Sequence, residues 1–317
     1  MAPSRFRLEH MVSRTRPRTA GRHSQEGRYT RAKLAFALAE VCAAAGLDPS
    51  GARLLRFVNN AVFRLREHEV VVRIVLAPSL AHRAEHVVAS ARWLAEHDVP
   101  AVRLLDVEQP VRAGDYVATF WRLVPERGKP NGTHLGELLR QLHSLPVPQL
   151  LPLWRPLDDV RRKCADAEEL DPEDQEFLLQ HCDAIERRLA DLRFALPWSV
   201  IHGDAHLGNV ILGPDGPVLC DLDSMCVGPP EWDLTPMAVG RLRTGQPPQR
   251  YEELISAYGF DVTAWADFQV LRELRELKIT VSGLPISRSN PRVREQVQHR
   301  LRTIREGDLV TQWTPYR

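Results

Sequence analysis

Lysine is nearly missing from this chain. Only Lys33, Lys129, Lys163 and Lys278 are lysines among 42 basic residues, and arginine supplies the rest. We read that preference as the codon usage of a GC-rich genome. The 41 acids bring the formal net charge to +1, which argues against a nucleic-acid binder or a membrane-surface protein. Cysteine is scarce too. Cys42, Cys164, Cys182, Cys220 and Cys226 are scattered, odd in number and free of C-x-x-C spacing. That pattern argues against a zinc site or a disulfide framework and for a reducing cytoplasm. No apolar run approaches the roughly 18 residues that a membrane-spanning helix needs. The chain also lacks G-x-x-x-x-G-K-[ST] and G-x-S-x-G, so it is neither a P-loop enzyme nor a hydrolase with a nucleophile elbow.

What is present suits a large core. With 317 residues, 44% hydrophobic and 26% charged, the chain is expected to form two lobes. Residues 1–28 carry Arg, Ser and Pro with little apolar periodicity and read as a flexible tail. Leu34, Leu38, Val41 and Cys42 mark a helix ending at Gly46. Strand-like runs follow at 52–58, 61–65 and 69–75, with Asn59-Asn60 breaking the first from the second. A helix over 83–97 has an apolar face at Val87, Val88, Ala91, Leu94 and Ala95. Strands at 102–105 and 116–120 come next.

Beyond residue 125 the periodicity turns helical, starting at 135–143, where His143 at the helix end reads as structural. Residues 157–187 are dense in acids, read mostly as a solvated face. Asp171-Pro172 opens a helix as N-cap and first-turn proline. Later helices are expected from 251 to 258, 262 to 279 and 291 to 305. Within the second of these, Glu273 or Glu276 could contact a ligand, although salt-bridged surface is the simpler reading.

The segment from Val200 to Asp223 carries the chemistry. A short apolar strand breaks into the polar run His202-Gly-Asp-Ala-His-Leu-Gly-Asn209, and two further β-rich runs flank the turn Gly213-Pro-Asp-Gly216. A hairpin that pairs Gly213 with Pro217 would place Val210 opposite Cys220 and Asn209 opposite Asp221. Opposed Cβ atoms lie roughly 4.5–5.5 Å apart. A carbonyl oxygen and a carboxylate that close suit a hard cation such as Mg2+ carrying phosphates. Asp204 is left to face a substrate hydroxyl. One base and two metal ligands are the parts that phosphoryl transfer needs.

At these residues the chain resembles the aminoglycoside phosphotransferase (APH-like) family, relatives of the protein kinases. The family pattern is His-Gly-Asp, four residues, Asn, then an Asp about a dozen residues on. A further Asp follows in a Pro-x-x-x-Asp-Leu context. His202, Asp204, Asn209, Asp221 and Asp233 meet it. The resemblance runs loosely from about 50 to about 285. It implies an α+β, two-lobed protein-kinase-like fold, with a small β-rich lobe over 29–124 and a larger helical lobe over 125–317. It also implies ATP and Mg2+ as cofactors.

Under that resemblance Asp204 orients the acceptor hydroxyl or takes its proton, and Asn209 and Asp221 hold Mg2+. His206 stands where protein kinases place a lysine that touches the transferred phosphate. His202 props the loop, and Asp233 bonds to its backbone. Asp223 assists the metal or caps a turn. Asn60-Ala-Val-Phe63 matches the loop over the nucleotide phosphates, without the glycines of a protein kinase. Arg73 replaces the usual phosphate-binding lysine, and Glu85 is placed to pair with it. Trp121 to Pro125, with Leu123 at its centre, resembles the hinge whose backbone meets adenine. The acids of 157–187 would lie beside the acceptor and welcome a cationic one.

Two other readings compete. His202, Asp204 and His206 could form an H-x-D-x-H metal cluster, but Gly203 and Gly208 argue for a loop and no second cluster completes the coordination. Arg73 and the glycine-poor loop would also suit a nucleotide-binding pseudokinase scaffold. The joint presence of Asp204, Asn209 and Asp221 disfavours it. The expected function is therefore transfer of the γ-phosphoryl group of ATP to a hydroxyl of a small molecule, an aminoglycoside, amino alcohol or sugar, in the cytoplasm. Neither nucleic acid nor membrane is expected as a partner.

Overall fold

The computed structural model describes residues 30–57, 60–75, 82–167 and 170–316. The expected tail at 1–28 lies outside the described residues, as do Asn59 of the expected turn and Glu168 and Glu169 of the acidic stretch. The chain divides into two compact units, Met1–Pro125 and Glu126–Arg317.

The first unit is an antiparallel sheet with two helices. Helix α1 (Arg31–Ala44) is capped by the Thr30 hydroxyl, which accepts from the Lys33 amide at 3.2 Å. Strands β1 (Arg53–Phe57), β2 (Asn60–Arg64) and β3 (Val70–Val75) precede helix α2 (His82–Glu96), and β4 (Val111–Ala113) and β5 (Tyr116–Arg122) follow it. The sheet order is β1-β2-β3-β5-β4. Period-two alternation sends Val70, Val72 and Ile74 of β3 into the core beneath α1. Val71 and Arg73 therefore share the other face.

Two features of this sheet were not anticipated. The run at 102–105 is not a full strand: it forms an isolated bridge, Leu104 to Trp121, although the Leu105 amide bonds the Phe120 carbonyl at 2.9 Å. The reason is Gln109, a buried carboxamide that stands in for a strand neighbour. Its oxygen accepts from the Phe120 amide at 2.7 Å, and its nitrogen donates to the carbonyls of Leu105 at 2.9 Å and Phe120 at 3.0 Å. The true edge strand is β4. Trp121 and Arg122 belong to β5, so the expected hinge begins after them.

The second unit is mainly helical. Helices α3 (Gly132–His143), α4 (Asp158–Ala165) and α5 (Pro172–Ala190) lead into strand β6 (Ser199–Ile201). The Asp171 side chain caps α5 at the Glu173 amide, with Pro172 at the first position. The hairpin β7 (Val210–Gly213) and β8 (Gly216–Leu219) and strand β9 (Cys226–Gly228) come next. Helices α6 (Pro230–Arg243), α7 (Pro248–Tyr258), α8 (Phe268–Val281), α9 (Leu284–Ser287) and α10 (Pro291–Arg305) complete it. Leu271, Leu274 and Leu277 of α8 pack with Trp232, Cys182 and Ile185 in a core that β6 and β9 also enter through Ile201 and Cys226. Strand β6 is thus held in the core, and the polar loop that leaves it starts from a fixed point.

Candidate active site

The loop from His202 to Asn209 is fastened by buried groups at nearly every turn. The Asp233 carboxylate, fully buried in the first turn of α6, accepts from the amides of His202 at 2.6 Å and Gly203 at 2.7 Å. Its Oδ2 also meets His143 Nε2 at 3.1 Å, and His143 Nδ1 bonds the Tyr258 hydroxyl at 2.8 Å. The expected structural roles of His143 and Asp233 hold. A buried carboxylate is tolerated only when its oxygens are satisfied in this way. Trp232 Nε1 donates to the Gly203 carbonyl at 2.8 Å. Gly203 itself has φ of +81°, and a Cβ there would lie 2.1 Å from the Ser224 carbonyl oxygen. Only glycine fits.

His202 is the prop expected of it. Its Nδ1 accepts from the Asp204 amide at 3.3 Å, so Nε2 carries the hydrogen and donates to the Cys220 carbonyl at 2.9 Å. The ring therefore ties the loop to the end of β8. Asn209, almost wholly buried, donates from Nδ2 to the Asp204 carbonyl at 2.9 Å, while its own carbonyl accepts from the Cys220 amide at 2.9 Å.

The hairpin register differs from expectation by one residue. Gly213 pairs with Gly216 across a two-residue loop, so Val210 faces Leu219 rather than Cys220. Gly216, at φ of +117°, permits the tighter turn. Asn209 is consequently followed across the ladder by Cys220, and Asp221 lies one residue beyond the predicted partner position. Asp221 reaches its place differently. It adopts the left-handed conformation, φ 62° and ψ 60°, a sparsely populated region for a residue with a side chain. Such strain costs roughly 1–3 kcal/mol and concentrates at functional positions.

The donor set fits a hard cation. Because the Asn209 NH2 is committed to Asp204, its Oδ1 is the group left to offer, and Asp221 adds a carboxylate at the strained turn. Asp204 is half-buried and not isolated. Its Oδ1 accepts from Arg275 Nη1 at 2.6 Å, and its Oδ2 lies 3.8 Å from His206 Nε2. His206 Nδ1 accepts from the Gly208 amide at 3.0 Å, which leaves the hydrogen on the nitrogen that faces Asp204. Burial alone would raise the Asp204 carboxyl, but the Arg275 guanidinium, His206 and Lys278 outweigh it. Together they hold the group well below the usual carboxylate range.

Sequence reasoning missed Arg275 and Lys278. It looked to Glu273 and Glu276 of the same helix instead. Glu273 pairs with Arg188, and Glu276 is buried between Arg243 and Arg272. The usable signal was the flank of the apolar stripe: Arg275 and Lys278 each lie four residues past a buried leucine, Leu271 and Leu274.

In the first unit, Asn60 and Arg73 do meet. With the Asn60 amide turned so that its oxygen faces the guanidinium, it accepts from Arg73 Nη2 at 2.5 Å and Nε at 3.3 Å. Glu85 corrects the expectation. Its carboxylate accepts from Arg112 Nη2 on β4 at 2.6 Å, an exposed ion pair in place of the one expected with Arg73. The Leu123 amide is committed to the Glu69 carbonyl at 2.8 Å, so Leu123 can offer its carbonyl to a base but not its N–H.

Comparison with known proteins gives the family of the chain. The chain belongs to the phosphotransferase enzyme family, which it matches over residues 53–274. A search of curated proteins finds no match. Among solved structures, an amicoumacin kinase in complex with AMP-PNP and Ca2+ superposes with a TM-score of 0.67 at 13% identity, over 90% of this chain and 96% of that one. A choline/ethanolamine kinase family protein from Mesorhizobium loti gives 0.56 at 19% identity, over 87% and 93%. An aminoglycoside phosphotransferase from Streptomyces rimosus gives 0.58 at 22% identity, over 77% and 98%. At these identities the likeness is one of fold: the α+β kinase-like architecture, a sheet unit followed by a helical one.

Proposed function

We propose that the chain transfers the γ-phosphoryl group of ATP to a hydroxyl of a small molecule, with Mg2+ held by Asn209 and Asp221. The observation that carries this reading is the bond from Asn209 Nδ2 to the Asp204 carbonyl. One short loop fixes the group that meets the hydroxyl and a group that holds the cation, and a buried carboxylate fixes the loop. Positioning and charge stabilisation are most of what phosphoryl transfer asks of a protein.

When bound, the cation supplies neutralisation of charge on the phosphates. Asp204 accepts the hydrogen bond of the acceptor hydroxyl and aims its oxygen. As the new oxygen–phosphorus bond forms and the bond to the leaving ADP oxygen breaks, the hydroxyl proton passes to Asp204. A carboxylate held this far down is a weak base, so it orients first and takes the proton late. His206 points its Nε2 hydrogen to the same place and can meet the transferred group. Asn60 and Arg73 serve the nucleotide phosphates, and Arg73 has the planar fork suited to them. The carbonyl of Leu123 remains for the base, and Glu85 would act only after leaving Arg112.

The acceptor class has support from the fold relatives, which are named as kinases of amicoumacin, choline or ethanolamine, and aminoglycosides. The five cysteines are free thiols, in keeping with work in the cytoplasm, where ATP is supplied. No helix among the described residues is long and apolar enough to cross a membrane. Thermal-shift titration with ATP, with Mg2+ and with a chelator, tests the nucleotide step. The expected result is stabilisation that needs Mg2+ and weakens in Asp221→Asn. Slow ATP hydrolysis that disappears in Asp204→Asn and Asp221→Asn separates an enzyme from a pseudokinase scaffold; binding without hydrolysis would favour the scaffold.

A further inference from the structure

Several acids of the stretch that was expected to welcome a cationic acceptor are already engaged. Asp159 accepts from Arg162 and meets Lys163 Nζ at 2.8 Å. Asp183 and Glu186 hold Arg161 at 2.8 Å and 2.7 Å, Asp174 holds Arg305 at 2.7 Å, and Glu273 holds Arg188. Beside Asp204 the supply of charge runs the other way.

Helix α8 sets Arg275 on that carboxylate and, one turn further on, Lys278 within electrostatic reach of it. Arg275 uses one of its five N–H donors on Asp204 and makes no other hydrogen bond among the described residues. Its guanidinium is mostly buried, with side-chain exposure of 12%. Lys278 is half-buried, with its ammonium 5.5 Å from the centre of the buried Trp232 ring. It has no hydrogen-bond or ion-pair partner among the described residues. Burial lowers its pKa, and Asp159 and Asp204 only partly restore it against Arg275 and Lys163. A buried cation is normally paired and hydrogen-bonded. Here a fork with open donors and an ammonium whose one contact among the described residues is the Trp232 ring flank the group proposed to meet the substrate hydroxyl.

We propose that Arg275 and Lys278 form an anion-binding subsite, so that the acceptor carries a carboxylate or phosphate group close to the hydroxyl that receives the phosphoryl group. The inference rests on the reading that Asp204 meets the acceptor hydroxyl. An acceptor with a fixed positive charge would bring it against two cations already there, whereas an anion satisfies donors that have no other use. Carboxylate and phosphate share the chemistry the fork recognises.

The test uses the full chain loaded with Mg2+ and a non-hydrolysable ATP analogue. Thermal shifts are read for matched probes: glycerate against glyceramide, glycerol 3-phosphate against glycerol, and choline as the cationic arm. The carboxylate and phosphate arms distinguish the two sources of the anion. The expected result is stabilisation by at least one anionic probe over its neutral twin and over choline. That preference should fall by about 10- to 100-fold in affinity in Lys278→Gln, the worth of a charge-assisted hydrogen bond. Lys278→Gln leaves the Arg275–Asp204 pair in place, so it keeps the test valid if Arg275→Gln does not fold. With ATP, mass gain of one phosphoryl group follows the same order.

Equal shifts for charged and neutral twins, no shift with either anion, or a stronger response to choline would overturn the proposal. So would a Lys278→Gln variant that loses ATP affinity instead of anion affinity, since the subsite would then belong to the nucleotide. Absence of any Mg2+-dependent ATP binding in the unaltered chain is a different outcome. It removes the phosphotransferase reading itself, and the subsite with it.

Discussion

Two faces of helix α8 carry buried charge, and they are built in opposite ways. On one, Glu276 is closed in by its own partners. Arg243 Nε and Nη2 donate to its two oxygens at 2.7 Å and 2.9 Å, and Arg272 Nε adds a third bond at 2.8 Å. The spare donors of the two arginines reach the carbonyls of Thr311 at 3.0 Å and Leu309 at 2.5 Å. Side-chain exposure there is 4% for Glu276 and 1% for Arg243. On the other face, among the described residues, Arg275 spends one donor on Asp204 and Lys278 spends none. A charge network that satisfies itself locks the C-terminal segment to the helix. One that leaves donors over is suited to something outside the chain. The difference separates charge that is fully partnered within the chain from charge with donors to spare, without any appeal to residue type.

The largest effect should come where the open face meets the loop. Asp204→Asn keeps the size and loses the proton acceptor, and kcat should fall by about 10²–10⁴-fold. Thermal unfolding should shift by less than in Glu276→Ala: Arg275 loses a charged partner, but the amide oxygen put in its place can still accept from Nη1, and the loop hangs from Asp233. A steady-state assay beside a melting curve checks both halves. A variant that unfolds as early as Glu276→Ala would erase that difference between the two faces.

On the closed face the expected outcome is reversed. Glu276→Ala strands two buried guanidinium groups, and breaking such a pair typically costs about 3–5 kcal/mol. Denaturant unfolding should show that loss, with activity retained at temperatures where the variant is folded. Lys278→Gln, which breaks no ion pair, should stay within about 1 kcal/mol of the parent on the same measurement.

Much of this was legible in the chain itself. The His-Gly-Asp run, Asn209, Asp221 and the later Asp233 follow a spacing set by local geometry, a strand, a loop and a hairpin, which sequence distance measures well. What could not be read was of two kinds. The hairpin register turned on whether the turn holds two residues or three, and Gly213-Pro-Asp-Gly216 permits both. Partners across long sequence distance were the other kind: Arg275 meets Asp204 71 positions away, and Arg112 takes Glu85 from 27 positions away. Charged residues beside an apolar stripe read alike whether they end in solvent or in a site. Glu273 and Glu276 therefore looked as eligible as Arg275. Only the contacts tell them apart.

Gly203 probes the support beneath the open face. Alanine would force a left-handed backbone on a residue with a Cβ and press that Cβ against the Ser224 carbonyl. The strain alone costs roughly 1–3 kcal/mol. Relief by rotation would pull the Gly203 amide from Asp233 and misplace Asp204. Gly203→Ala should therefore lose kcat together with more stability than Asp204→Asn loses. Equal loss in the two variants would mean that Asp204 acts through the fold rather than on the substrate.

The smallest effect is also the one that ties the two kinds of charge together. Burial would raise the Asp159 carboxyl, but Lys163, Arg162 and Lys278 hold it well below its ordinary value. A carboxyl with a depressed pKa in the folded state stabilises the fold fully above its unfolded value, about 3.9, and loses that contribution as the pH falls through the folded value. Asp159→Asn should accordingly be less stable than the parent at neutral pH, with the two unfolding curves converging below about pH 4. The same substitution removes one of the two carboxylates that offset Lys278, and so makes the corner beside Asp204 more positive. If that corner binds an anion, Asp159→Asn should bind glycerate or glycerol 3-phosphate more tightly at neutral pH while being the less stable protein. Stability and affinity moving in opposite directions is what a structural ion pair alone would not produce.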